Sequence, residues 1–216
     1  MAFEATHIRF ALDLAERLKI IDIPAYLSGS IYPDSRYATG ISRGTTHGDG
    51  APQDPFVKGL DDFHKGWATH LLYDELGIEK YKNLSPTPNI KIEGFGDLWV
   101  FTTAEKLIED MECFKALGKQ RGLIQDIQPP EVLNNENKEH LNKYYADIKQ
   151  LYTKSPTLSG YYNLMTKWHI PDQVANAVYD LTESFQKNPS MIEQINDIYQ
   201  EIVSAELRGS PPPPLH

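Results

Sequence analysis

The chain has 216 residues, 40% hydrophobic and 24% charged, with 30 acidic against 21 basic side chains and a formal net charge of −9. That length and composition suit one soluble domain with a proper core. The acidic balance argues against nucleic-acid or anionic-membrane binding through bulk charge, because neutralising phosphates needs a basic surface.

A phosphorylated substrate held by a local metal stays compatible with that charge. The single cysteine, Cys113, leaves no internal disulfide framework and no all-cysteine zinc site. No apolar run approaches the roughly 18 residues of a membrane span. The start, Met1-Ala2-Phe3, lacks the basic and apolar regions of a secretory signal, so a cytoplasmic location is the default expectation.

In chain order, Ile8, Ala11, Leu12, Ala15 and Leu18 recur at helical spacing and predict an amphipathic helix over 4–19, with His7 in its first turn. It ends before Ile23-Pro24, since the residue before a proline avoids the helical region. A short helical turn is expected at 25–35, then a loop over 36–54 rich in Gly, Ser, Thr and Asp. A loop of that length in a compact domain is usually functional or disordered. This one holds Arg36, Arg43, His47 and Asp49 and reads as site-forming.

A second helix is expected over 55–76, closed by Gly77 as a left-handed cap. Gly66 inside it is costly for a helix and signals close approach of another backbone. Around 88–101, Ile90–Glu93 and Leu98–Phe101 suggest short extended pieces about Gly94 and Gly96. Thr102-Thr103-Ala104-Glu105 has the form of a capping box opening a helix to Leu117, with Gly118 as its stop. After a loop at 119–131, helices are expected over 135–152, 172–187 and 190–207, and Pro211–Pro214 make a polyproline-prone tail. The expectation is a single all-α domain over 1–208, with a short extended insertion around 88–101 and a disordered tail at 209–216.

The candidate ligands collect in the first third: His7, Asp34, His47, His70 and Asp74. His70 and Asp74, four residues apart, share one helix face one turn apart and can hold one metal, or one can bind while the other orients it. A buried histidine hydrogen-bonded to an aspartate is the plain alternative. Imidazole with carboxylate suits Zn, Fe or Mn. Such a site with open positions lowers the pKa of a bound water and yields a hydroxide nucleophile. His64, six residues before His70, points to another helix face. Trp67 reads as a packed aromatic or a pocket wall, and His140 and His169 as surface or core.

His7, Gly29-Ser30-Ile31-Tyr32-Pro33-Asp34, Thr46-His47 and Gly66-Trp67-Ala68-Thr69-His70-Leu71-Leu72-Tyr73-Asp74 together resemble the zinc-dependent phospholipase C-like proteins. Those are all-helical metal-dependent phosphate-ester hydrolases whose fold also serves single-strand nucleases. The resemblance covers roughly residues 5–76. HD-like helical phosphohydrolases are the nearest other comparison, although the adjacent His-Asp pair that defines them is absent. The secreted members use the amine of a mature N-terminal Trp and a downstream His set, for which His140 and His169 lack the surroundings.

The resemblance implies His7, Asp34, His47, His70 and Asp74 as ligands of one or two divalent ions, Zn first, with Fe or Mn as alternatives. Asp34 or Asp74 would bridge the ions and accept the proton of the attacking water. Arg36 and Arg43 would grip a phosphate oxygen, or stand as solvated loop arginines. The function expected is hydrolysis of a phosphodiester or phosphomonoester by a metal-bound hydroxide, with a small phosphorylated substrate as partner. The alternative is a non-catalytic helical domain with a structural metal or polar network that works through partners. Oligomeric state and substrate identity stay open.

Overall fold

Two glycines decide how the helices of the first third meet. The computed structural model describes residues 3–82, 84 and 97–208. In it α1 (Glu4–Ala15) is followed by α2 (Ile23–Ile31), whose first turn carries Pro24 and whose cap, Asp22, accepts the Ala25 N–H at 3.0 Å. A 3₁₀ turn over Tyr32–Ser35 leads into two short helices, α3 (Arg36–Thr39) and α4 (Arg43–His47), and then the long α5 (Asp62–Lys82). A Cβ on Gly29 would stand 1.9 Å from the Phe63 carbonyl oxygen, and one on Gly66 would stand 1.9 Å from that of Tyr26. Only hydrogen fits at either point, so α2 and α5 cross backbone to backbone. This is the close approach that Gly66 signals in the sequence.

α6 (Asp97–Leu117) is the shared wall of the molecule. Its Cys113, Phe114 and Leu117 join a core with α1, α2 and α5, while Val100, Phe101, Ala104, Leu107 and Ile108 join a second core toward α10. A helix apolar on both sides is a buried helix. A 3₁₀ turn at Gly118–Gly122 and α7 (Leu123–Asp126) connect it to α8 (Lys138–Leu151), α9 (Leu158–Lys167), α10 (Asp172–Gln186) and α11 (Pro189–Arg208). Asn137 and Thr157 cap α8 and α9 through their side chains. The fold is all-α. Among the described residues there is no strand, and no helix is long and apolar enough to cross a membrane.

The departures from the sequence expectation have local causes. Leu98–Phe101 are helical rather than extended, because Val100 and Phe101 continue the apolar stripe of α6, Phe101 meeting Phe185 edge-on at 5.2 Å. The Thr102 and Thr103 hydroxyls turn back to the carbonyls of Leu98 and Trp99 at 2.8 and 2.6 Å instead of capping a helix. Residues 88–96 and the tail 209–216 lie outside the described residues.

α5 runs through Gly77, whose Cβ would meet Tyr81 and Ile202 of α11 at ordinary contact distance; tertiary packing outweighs the glycine penalty there. The 36–54 loop folds into α3 and α4, and the 119–131 loop contains α7. α9 has no counterpart in the sequence reading. Its buried Tyr161, Leu164 and Met165 fall on one helical stripe that the neighbouring Ser, Gly and Thr obscure.

Candidate metal centre

The α2–α5 crossing presents the carbonyl of Ser30 to His70 on α5, and His70 Nδ1 donates to it at 2.9 Å. A carbonyl can only accept, so the proton is on Nδ1 and the lone pair on Nε2. One turn on, Asp74 receives three imidazoles. His70 Nε2 and His47 Nε2 stand 3.8 and 3.6 Å from its Oδ2, and His7 Nε2 from α1 stands 3.8 Å from its Oδ1. Asp34, in the 3₁₀ turn after α2, completes a grouping with His47 and His70; His7, His70 and Asp74 form another.

Burial is nearly complete: His70, His7 and Asp34 are 0%, 1% and 2% exposed. Buried polar atoms in folded proteins have partners as a rule. Yet both nitrogens of His7, His70 Nε2 and Asp34 Oδ1 have none.

The charge states sharpen this. Burial first, and then the neighbouring His70, hold His7 well below the ordinary imidazole range. Burial lowers His70 to about 4 and lowers His47 as well. Burial and the Asp74 charge push Asp34 up to about 6. Asp74 goes the other way: burial alone would raise it, but hydrogen bonding from His47 and the surrounding charges, Lys106 among them, keep it well below the ordinary carboxylate range.

At neutral pH, therefore, neutral His70 aims a lone pair at an ionised carboxylate. A lone pair facing an ionised carboxylate is an arrangement that a bound cation would relieve. Metal–ligand bonds of about 2.0–2.1 Å put two ligands of a tetrahedral ion roughly 3.3 Å apart. The observed separations of 3.6–3.8 Å are within a small side-chain adjustment of that. The donor set fits a borderline divalent metal such as Zn.

Ring orientation divides the ligands. His7 and His70 are stacked, centroids 3.6 Å apart and planes 17° from parallel, whereas His47 and His70 meet edge-on at 76°. Lone pairs of near-parallel stacked rings run side by side rather than converge. His47 and His70 can serve one ion with Asp34, and both rings also face Asp74 Oδ2. His7 faces Asp74 Oδ1 instead.

No family model, no curated protein and no solved structure matches the chain. The case for the site therefore stands on its own geometry.

All five ligand candidates are brought together. The arginines are not equivalent. Arg36, half-buried beside Asp34, stacks on the Tyr37 ring with its guanidinium carbon 3.9 Å from the centroid and bonds the Tyr37 hydroxyl, while Arg43 is exposed at the start of α4. His64 is paired with Asp61 at 2.8 Å, away from Asp74. His140 is exposed on α8, and His169 follows α9 in a left-handed conformation.

Trp67 is the packed aromatic the sequence allows, and it, Thr46 and Lys106 gain further roles from the structure. Trp67, packed on Tyr32, donates its indole N–H to the Thr46 carbonyl at 2.8 Å and so holds the helix that carries His47. Thr46 in turn places its hydroxyl 2.7 Å from His47 Nδ1. Lys106 on α6 is 5% exposed, and its charge bears on both His70 and Asp74. A lysine in a helix rich in Glu and Leu carries no pattern that marks it as buried.

Beneath the histidines lies a carboxyl–tyrosine layer. Asp110 accepts from the Thr6 N–H at 3.0 Å and from Tyr152 at 2.6 Å and Tyr161; Glu4 accepts from Tyr144 at 3.0 Å. Those bonds anchor α1, and with it His7, to α6 and α8.

Proposed function

We propose that the cluster holds two divalent metal ions, Zn first, and that the protein hydrolyses a phosphate ester. Asp34, His47 and His70 would hold one ion; His7 with Asp74 would serve the other. The carrying observation is that His7 and His70, each with an unpartnered ring nitrogen, turn together with His47 on the Asp74 carboxylate. The phosphate assignment rests on the order and spacing of these ligands in an all-helical chain, which resemble the zinc-dependent phospholipase C-like proteins. When bound, the ions would supply Lewis acidity, lowering the pKa of a water and polarising phosphorus–oxygen bonds.

The chain's own residues then have separable tasks. Ser30 fixes the His70 ring, and Trp67 with Thr46 fixes His47. Asp34 Oδ1, buried among the ligands and without a hydrogen-bond partner, would accept the proton of an attacking water. Arg36, already immobilised on Tyr37, is the arginine placed to meet a phosphate oxygen.

The test is hydrolysis of p-nitrophenyl phosphate and bis-p-nitrophenyl phosphate by protein reloaded with Zn, Mn or Fe, beside Asp74→Ala. Turnover of either ester that Asp74→Ala abolishes supports the reading. Equal background with both proteins removes it.

The near-complete burial of His7, His70 and Asp34 favours one competing reading, a structural metal in a non-catalytic domain. A structural site unfolds on chelation, and a catalytic one does not.

A further inference from the structure

Buried lysines normally come with a counter-ion. Among the described residues, no carboxylate lies within ion-pair distance of Lys106 although it is 5% exposed. Glu105 and Glu109 on its own helix feel its charge without pairing with it. Glu109 accepts from the Tyr73 hydroxyl, Asp110 from Thr6, Tyr152 and Tyr161, and Glu105 has neither oxygen partnered.

Two of those bonds locate the lysine. Thr6 immediately precedes His7 and is tied to Asp110; Tyr73 immediately precedes Asp74 and is tied to Glu109. Lys106 lies three residues before Glu109 and four before Asp110, hence on the same face of α6, one turn toward its N-terminus. Its ammonium sits 5.5 Å from the Tyr81 ring centroid, on the α5 side. The face of α6 that carries Lys106 is thus clamped against the stretches of α1 and α5 that bear His7 and Asp74.

We propose that Lys106 is a substrate-binding residue: its ammonium holds a phosphoryl oxygen beside the His7–Asp74 half of the cluster and selects dianionic phosphomonoesters over monoanionic diesters. The inference rests on the phosphohydrolase reading above. Two divalent ions and an ammonium outweigh the charge of Asp34 and Asp74, and the extra negative charge of a monoester compensates that excess better than a diester does. A lysine supplies the compact point charge for this, without asking for bidentate geometry.

The test compares metal-reloaded wild type, Lys106→Met and Lys106→Arg. Met keeps the buried stem without the charge, and Arg keeps the charge. For Lys106→Met the ratio of kcat/KM for p-nitrophenyl phosphate over bis-p-nitrophenyl phosphate should fall about ten- to a hundredfold, the size of one charge-assisted bond. Bound metal should be unchanged, and Lys106→Arg should recover much of the ratio. A purely structural lysine would lower both esters together, and an unchanged ratio overturns the proposal.

Binding of inorganic phosphate to the same proteins by calorimetry separates the two readings. If the wild type turns over neither ester, the hydrolase reading fails on its own. Phosphate affinity that drops in Lys106→Met then still supports the lysine's role, and affinity that does not drop, or a wild type that binds no phosphate, ends it. Should Lys106→Met fail to fold, Lys106→Gln carries the same comparison, and failure of both to fold while Lys106→Arg behaves as wild type in every assay assigns the lysine to stability and overturns the proposal.

Discussion

The Nδ1–H of His70 donates to the Ser30 carbonyl at 2.9 Å, and this bond decides which ring nitrogen faces Asp74. It exists because α2 and α5 cross at two glycines, so a backbone contact sets the tautomer of the central ligand. The site is coupled to the fold at that crossing.

Gly66→Ala should therefore unfold or severely destabilise the protein, by about 3 kcal/mol or more, since a Cβ 1.9 Å from the Tyr26 oxygen forces the helices apart. Gly122→Ala, whose Cβ meets nothing within 4 Å, should be tolerated. Denaturant titration of the two variants checks the contrast. Equal stability would mean that the helices do not cross this closely.

Trp67→Phe keeps an aromatic against Tyr32 but loses the bond to the Thr46 carbonyl. The carbonyl loses its partner, at a cost of about 1–2 kcal/mol. Metal affinity should fall roughly ten- to a hundredfold, the usual effect of losing a group that orients a ligand. A competition titration with a chromophoric chelator measures this. Unchanged affinity would remove Trp67 from the site's support.

Much of this was legible in the sequence because its signals are local. His7 opens an amphipathic helix, His70 and Asp74 sit one turn apart, and Gly66 announces a close approach. The pairing of His7 with Asp74 and the edge-on meeting of His47 and His70 are tertiary facts that no spacing encodes. Lys106 was invisible for the same reason: its burial comes from α1 and α5 packing on α6. The segment 98–101 reads as extended because Gly94 and Gly96 look like breakers, while the apolar stripe of Val100 and Phe101 becomes apparent only against α10.

Glu105 offers a pH test away from the histidines. Fully buried, with both oxygens unpartnered, its carboxyl is pushed up from about 4.5 to about 8, first by burial. The folded state thus favours the protonated form. That contribution to stability is complete below about pH 4.5 and is lost as pH rises toward 8, at no more than about 1.4 kcal/mol per pH unit. His70, lowered from 6.5 to about 4 by burial, acts in the opposite sense: its contribution is complete above pH 6.5 and is lost as pH falls through 4. In thermal melts of metal-free protein, Glu105→Gln should exceed wild type at pH 8 and lose the advantage at pH 4.5. A difference independent of pH would show that Glu105 does not bind an extra proton in the folded state.

Removal of metal should lower the melting temperature without erasing the helical circular dichroism. The two apolar cores extend beyond the cluster, and an ion at a given excess over its Kd adds only a bounded term, about 2.7 kcal/mol at a hundredfold excess. Collapse of the helical signal on chelation would instead favour the structural-metal reading.

The most direct measurement is the metal content of the purified, Zn-reconstituted protein by plasma mass spectrometry, beside His7→Ala, His70→Ala and Asp74→Ala. Two equivalents in wild type and about one in both His7→Ala and Asp74→Ala, all with wild-type helicity, are expected if His7 with Asp74 serves one ion and Asp34, His47 and His70 hold the other. A wild type that takes up no Zn, Mn or Fe would contradict the metal centre itself, and loss of both ions together in His7→Ala would contradict the division between its halves.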